Sequence, residues 1–257
     1  MHSDATRTTL GKVPEVTLMF WVIKVAATTL GETAGDAVTM SMNLGYLVGS
    51  AIFALIFVAA VSAQIMEKRF IPPLYWAVIV ATTTFGTTLA DYFDRSLGIG
   101  YTGGSAILLL LLLGSLALWK YSLGSVSIEK INSRKAEAFY WMTIMFSQTL
   151  GTALGDWFAD PKTGLGFGYQ GSALIFGGAL LLIAALYFWT RVSRTALFWA
   201  AFILTRPLGA TLGDFLDKPI ENGGLALSRY TATAWLAAFI IACIVLMTQR
   251  PQKVTAD

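Results

Sequence analysis

Thr29-Leu30-Gly31-Glu32-Thr33-Ala34-Gly35-Asp36 returns three times with small changes. The copies read Thr84-Phe85-Gly86-Thr87-Thr88-Leu89-Ala90-Asp91, Thr149-Leu150-Gly151-Thr152-Ala153-Leu154-Gly155-Asp156 and Pro207-Leu208-Gly209-Ala210-Thr211-Leu212-Gly213-Asp214. Each copy closes a long apolar stretch. A looser element opens the next stretch: Gly45-Tyr46, Gly100-Tyr101, Gly168-Tyr169 and, in degenerate form, Arg229-Tyr230. The repeating unit is therefore a pair of apolar segments, over residues 16–70, 71–125, 136–192 and 195–249 of one domain, 1–257. Such a period marks a repeat architecture.

The apolar segments are long enough to decide the class. About 20 apolar residues cross the ~30 Å hydrocarbon core as a helix, and polar interruptions cut the chain into such runs. These are Val16–Asp36, Leu44–Met66, Leu74–Asp91, Thr102–Tyr121, Ala138–Asp156, Gly168–Thr190, Ala196–Asp214 and Ala232–Met247. Charged residues are 13% of the chain and hydrophobic ones 56%; a soluble domain carries about twice that charge. The alternating ~10-residue strands of a membrane barrel are missing. The reading is an all-α integral membrane protein with eight transmembrane helices as four parallel two-helix repeats. Because each unit crosses twice, all copies share one orientation, unlike inverted transporter repeats.

Orientation follows from the basic residues. Arg7, Lys12, Lys68, Arg69, Lys120, Lys130, Arg134, Lys135, Arg191, Arg194, Arg250 and Lys253 fall on one side, against Arg95, Lys162, Lys218 and Arg229 on the other. Both termini are expected in the cytoplasm, Asn132 with them, and Gly98, Gly164 and Asn222 outside. Trp76, Trp119, Trp189 and Trp199 then read as an aromatic belt at the cytoplasmic interface. Cys243 is the single cysteine and His2, in the N-terminal tail, the single histidine. No cleavable signal peptide is expected, because the first apolar run is long and carries Lys24, Glu32 and Asp36, and scattered basic residues at a net charge of +3 argue against a nucleic-acid partner. The partners expected are the lipid bilayer and a small cation; a homo-oligomer is compatible with the sequence.

At about 100° per residue, the residue seven before each Asp lies within about 20° of it. Thr29, Thr84 and Thr149 therefore share the Asp face, flanked by Glu32, Thr33, Thr87, Thr88, Thr152 and Thr211. The small residues one and five before each Asp lie about 100–140° away and form small-xxx-small packing patches. The four Asp residues read either as markers of helix ends in water or as one shared polar site; the recurring Thr stripe favours the site. Asp94, Asp160, Asp217 and Glu221 follow the motifs and would leave that mouth net negative, which concentrates cations.

Quoted in this way, the Thr-Leu-Gly-Glu-Thr-x-Gly-Asp and Gly-Thr-Ala-Leu-Gly-Asp-Trp elements resemble bacterial membrane proteins defined by a repeat of unknown function, described as predicted membrane-anchored proteins. The resemblance covers the whole chain, implies the multi-span repeat architecture and a bacterial inner-membrane location, and implies no activity.

Intramembrane charges are expensive and point to function. Lys24 falls near mid-membrane, Glu32 one turn inside Asp36, and Arg206 two turns inside Asp214, before Pro207, where a kink is expected. Lys24 and Glu32 are about 12 Å apart along their helix, so the expected ion pair is Arg206–Glu32 between the first and seventh spans. Glu32, Asp36, Asp91, Asp156 and Asp214, with hydroxyls from the Thr stripe, form a candidate site for a hard cation such as Mg²⁺ or Mn²⁺, with Lys24 and Arg206 as coupling charges. No cofactor is implied. The leading expectation is a cation transporter or permease; the alternative is a non-transporting scaffold or assembly factor. No catalytic constellation is present, so an enzyme is not expected.

Overall fold

The computed structural model describes residues 10–131 and 133–253. His2, Arg7, Asn132 and both chain ends lie outside the described residues, and so do the expectations placed on them. Among the described residues eight α-helices follow one another: α1 Leu18–Asp36, α2 Gly45–Met66, α3 Pro72–Asp91, α4 Gly100–Leu123, α5 Arg134–Ala159, α6 Gly168–Trp189, α7 Arg194–Asp217 and α8 Arg229–Leu246. Their starts are written in local chemistry. Thr17 and Ser133 accept hydrogen bonds from the amides of Phe20 and Ala136, relieving unpaired donors of the first turn. Pro72 and Pro73 open α3, where their missing N–H is harmless. Gly45, Gly100 and Gly168, the first residues of α2, α4 and α6, have φ of +75°, +75° and +67°. A left-handed residue turns the chain from an odd helix into an even one, which explains the glycine of the Gly-Tyr element.

The helices form two concentric layers. The odd helices make a closed ring, in which α1 packs on α3, α3 on α5, α5 on α7 and α7 back on α1. Each even helix packs on the odd helix of the following repeat: α2 on α3, α4 on α5, α6 on α7, and α8 on α1. The two-helix repeat read from the sequence is therefore not the packing unit. The two helices of a repeat barely touch, because the small-residue faces of the odd helices are occupied by their ring neighbours.

Five helices, α2, α4, α6, α7 and α8, are long and apolar enough to cross a membrane. The even helices turn Leu55, Leu110, Leu181 and Val245 outward, each more than 70% exposed. That is the surface a bilayer covers, and the protein is an all-α membrane protein. Helices α1, α3 and α5 are less apolar because the ring buries their polar side chains inside the outer layer: Lys24, Glu32, Gln148 and a file of threonines.

The motif Asp residues do not end helices in water. Each is at most 5% exposed, and the helix runs on past it, as a π-helical turn over Ala37–Ser41 and Tyr92–Ser96 or as α-helix to Ala159 and Asp217. Helix α7 also runs unbroken through Pro207.

At the opposite end of the ring, Phe20-Trp21, Tyr75-Trp76, Tyr140-Trp141 and Phe198-Trp199 stand sixteen and fifteen residues before the four Asp residues. They pack together as an aromatic layer, and the Tyr75 and Tyr140 hydroxyls meet at 2.7 Å. Here the aromatic belt fails. Trp76, Trp119 and Trp199 are buried, and only Trp189, 83% exposed, is placed as a belt residue would be. Over this end lies a two-stranded ribbon, β1 Leu10–Pro14 antiparallel to β2 Pro251–Lys253. Lys12 of β1 donates to the last carbonyls of α2, Gln64, Ile65 and Glu67, and pairs with Glu137 of α5 at 2.6 Å.

Candidate functional site

The ring closes through a cyclic set of glycine contacts. A Cβ on Gly31 would strike Thr83, on Gly86 Gln148, on Gly151 Arg206, and on Gly209 Thr28. In every case the glycine five before one Asp faces the residue eight before the next, and the fourth copy meets the first. Gly35 faces Thr87, Gly155 Ala210 and Gly213 Glu32 by the same rule, one before against four before. The small-residue faces are thus the contacts between neighbouring inner helices, as the sequence implied.

These contacts fix which residues share the axis. Residues 4, 8, 12 and 16 before each Asp stack in layers along it, because the i,i+4 ridges of the crossing inner helices run along the ring axis. The sequence placed the residue seven before on the Asp face; that needs correction. Thr29, Thr84 and Thr149 are buried, but their hydroxyls donate to Val25, Val80 and Met145 of their own helices. Thr33 receives a bond from Thr233 of α8, Thr88 donates to Phe85, and Thr211 to Pro207 and Leu208. None of these six joins the axial contacts.

Arg206 does. Its side chain is fully buried and leaves α7 opposite Gly151. One guanidinium nitrogen, Nη2, lies 2.9 Å from Glu32 Oε2, 2.5 Å from Thr87 Oγ1 and 2.5 Å from Thr152 Oγ1. Nη1 donates to the Thr28 carbonyl at 3.4 Å. The residues four before the Asp are Glu32, Thr87, Thr152 and Ala210, so Arg206 meets the three polar ones while Ala210, on its own helix, leaves it room. A single cation ties all four inner helices together, through the interhelical Arg206–Glu32 pair that the sequence pointed to. Lys24, equally buried, lies in the layer twelve before the Asp, next to that of Arg206, with its ammonium 4.2 Å from the centre of the Phe202 ring.

The four motif carboxylates are held in two pairs. Arg95 bridges Asp91, at 3.0 Å, and Asp156, at 2.9 Å. Lys218 bridges Asp36 and Asp214, the latter at 3.0 Å. Arg229 lies 3.0 Å from Asp217 and 3.8 Å from Asp36. Burial disfavours the Lys218 charge, but Asp214, Asp36 and Asp217 together hold its ammonium well above the ordinary lysine range. The mouth is therefore compensated by its own cations and not a bare negative funnel. Among the described residues, Glu32, Asp36 and Asp214 are the acids arranged as a metal could use them: one oxygen of each lies within 4.8 Å of the others. Asp91 and Asp156 stand apart from that cluster, on Arg95.

The profile of the Repeat of Unknown Function (DUF347) matches residues 19–70, 74–124, 139–193 and 197–251. The chain belongs to the DUF347 family. In this DUF347 chain the profile boundaries follow the odd-even helix pairs, so the sequence repeat and the packing unit are offset by one helix. No curated protein matches the chain, and no solved structure matches it. The sequence reading passed over the clamping role of Arg95 and Lys218, although each lies four residues after a motif Asp, the spacing of a helical ion pair.

Proposed function

We propose that this DUF347 protein is a multi-pass transporter or permease for a small, hard cation in the bacterial inner membrane. In this reading all eight helices span, as four parallel two-helix repeats, with both termini cytoplasmic. The polar odd helices cross inside a sleeve formed by the apolar even ones. The observation that carries the reading is the buried trio Glu32, Asp36 and Asp214, whose oxygens converge within 4.8 Å, with the ammonium of Lys218 tethered to two of them, Asp36 and Asp214. Such an oxygen set suits Mg²⁺ or Mn²⁺, and Lys218 stands in for the substrate ion in the resting state. An arriving cation takes the carboxylates and Lys218 moves off to Asp217, 3.8 Å away. Lysine suits that exchange, being a compact charge on a flexible stem; Arg95, a planar fork across two carboxylates, suits a permanent clamp. The protein needs no catalytic chemistry and no cofactor for this.

Reconstituted protein tests the reading. Mn²⁺ entry into proteoliposomes should exceed that into protein-free vesicles, and Asp36→Asn and Asp214→Asn should each abolish the excess. The scaffold alternative draws on a different observation: Arg206 and the aromatic layer cross the axis, as devices that hold a bundle shut. Wild-type liposomes no leakier to Mn²⁺ than empty ones would decide for it.

A further inference from the structure

Between the aromatic layer and the Arg206–Glu32 pair, the ring interior holds more buried basic side chains than acidic ones. Among the described residues, Lys24, Glu32 and Arg206 are the charged side chains at that depth. Glu32 is engaged by Arg206 and stands eight residues from Lys24 on the same helix, about 12 Å along it. The Lys24 ammonium has no hydrogen-bond partner among the described residues, and neither have Arg206 Nε, both ends of the Gln148 amide, Thr83 Oγ1 and Ser147 Oγ. All five residues are fully buried. They are also neighbours in depth. Thr83, Gln148 and Arg206 occupy one layer, eight before their motif Asp, as the cyclic glycine contacts require; Ser147 adjoins it, and Lys24 lies one turn below. A bare ammonium in a water-poor interior is strongly disfavoured, and the face of Phe202, 4.2 Å away, offsets only part of that.

We infer that this layer is a binding site for a small monovalent anion of halide size, with Lys24 as its counter-charge. The balance is one surplus positive charge, which one such anion neutralises. The chemistry is that of donors: an ammonium, a guanidinium N–H, an amide NH₂ and two hydroxyls that are free to turn. Size is limited by the glycine contacts, which hold adjacent helices at backbone distance. The motif carboxylates do not oppose it, since Asp36 lies twelve residues from Lys24, about 18 Å along the helix. The inference is independent of the cation-transport reading, because it uses neither the mouth nor any flux.

The test is halide-dependent stability. Purified full-length protein in sodium gluconate is titrated with sodium bromide at constant ionic strength while the melting midpoint is followed. Wild type should show a saturable rise. Lys24→Arg and the surface control Lys120→Met should keep it, and Lys24→Met should lose it. If Lys24→Met does not fold, Gln148→Leu serves: a lost donor to an anion raises the half-saturating bromide roughly tenfold. The inference is overturned by a wild type without a saturable bromide response, the result expected of an uncharged or merely hydrated Lys24. A full response in Lys24→Met or an unchanged one in Gln148→Leu overturns it equally.

Discussion

Replacing Arg206 by methionine removes a side chain that ties all four inner helices together. The largest consequence is a Glu32 carboxylate, 3% exposed, left without its cation; breaking a buried pair from one side costs about 3–5 kcal/mol. The threonines add little. Thr87 and Thr152 already have carbonyls of their own helices within reach, Thr83 O at 3.1 Å and Gln148 O at 3.5 Å, so their hydroxyls turn inward. For a chain of this size that cost lowers the melting midpoint by roughly 6–20 °C. Glu32→Gln should lose less, because its amide oxygen still accepts from Arg206 and Thr87. The double variant Arg206→Met/Glu32→Gln should recover at least half of the Arg206→Met loss, since neither side of the pair is left as a charge without its partner. Thermal unfolding of the four proteins in one detergent measures the coupling. Strict additivity of the single effects would refute the reasoning. In proteoliposomes, the double variant should remain inactive if the pair serves transport; full activity would make it a packing device.

Gly151→Ala should cost more than about 1 kcal/mol in the same assay, because its Cβ meets Arg206 and Pro207, whereas Gly114→Ala, with open space around it, should stabilise by up to about 1 kcal/mol. Lys12→Met should lower the midpoint through both the α2 carbonyls and Glu137; an unchanged midpoint would mean that the ribbon does not brace the bundle. Asp94 is buried beyond the end of α3, and burial, with Asp156 behind it, raises its pKa from 3.8 to about 6 against the pull of Arg95. A folded value above the unfolded one means that its contribution declines as pH rises through that window, so Asp94→Asn should flatten the pH dependence of the midpoint there. In a Cys243→Ala background, Asn222→Cys should label from outside and Met66→Cys should not; the reverse pattern would invert the proposed topology.

The sequence carried the repeat and the helix class because both are written in spacing: four Thr/Gly/Asp elements and apolar runs long enough to span. It also carried the Arg206–Glu32 pair, since those are the positions where the copies diverge in charge. The layer order was harder to read. Residues four and seven before an Asp differ by only about 60° on a helical wheel, and the tilt of the ring chooses between Thr87 and Thr84. The tryptophans misled for a related reason. An interfacial belt and a buried plug both place aromatics near helix ends, and Trp76 is covered by residues distant in sequence, Phe20 of α1 and Gln249. Extending the repeat back by sixteen residues, to Phe20, Tyr75, Tyr140 and Phe198, was the signal that could have told the two apart.

The offset between sequence repeat and packing unit has a consequence for how the chain is made. Helix α1 leaves the ribosome first, yet its outer cover, α8, and the partner of its Glu32, on α7, are synthesised last. Until then α1, whose Lys24, Glu32 and Asp36 are buried in the finished ring, waits with two faces bare. Ribbon pairing of β1 with β2 is the final clasp, and it too needs the last residues described. Assembly is therefore all-or-none with respect to length: a nascent chain cut after three repeats has an open ring and a stranded α1. Such a fragment is a substrate for membrane quality control, and a circular permutant that begins at α8 would relieve the wait by delivering the cover before the helix it protects.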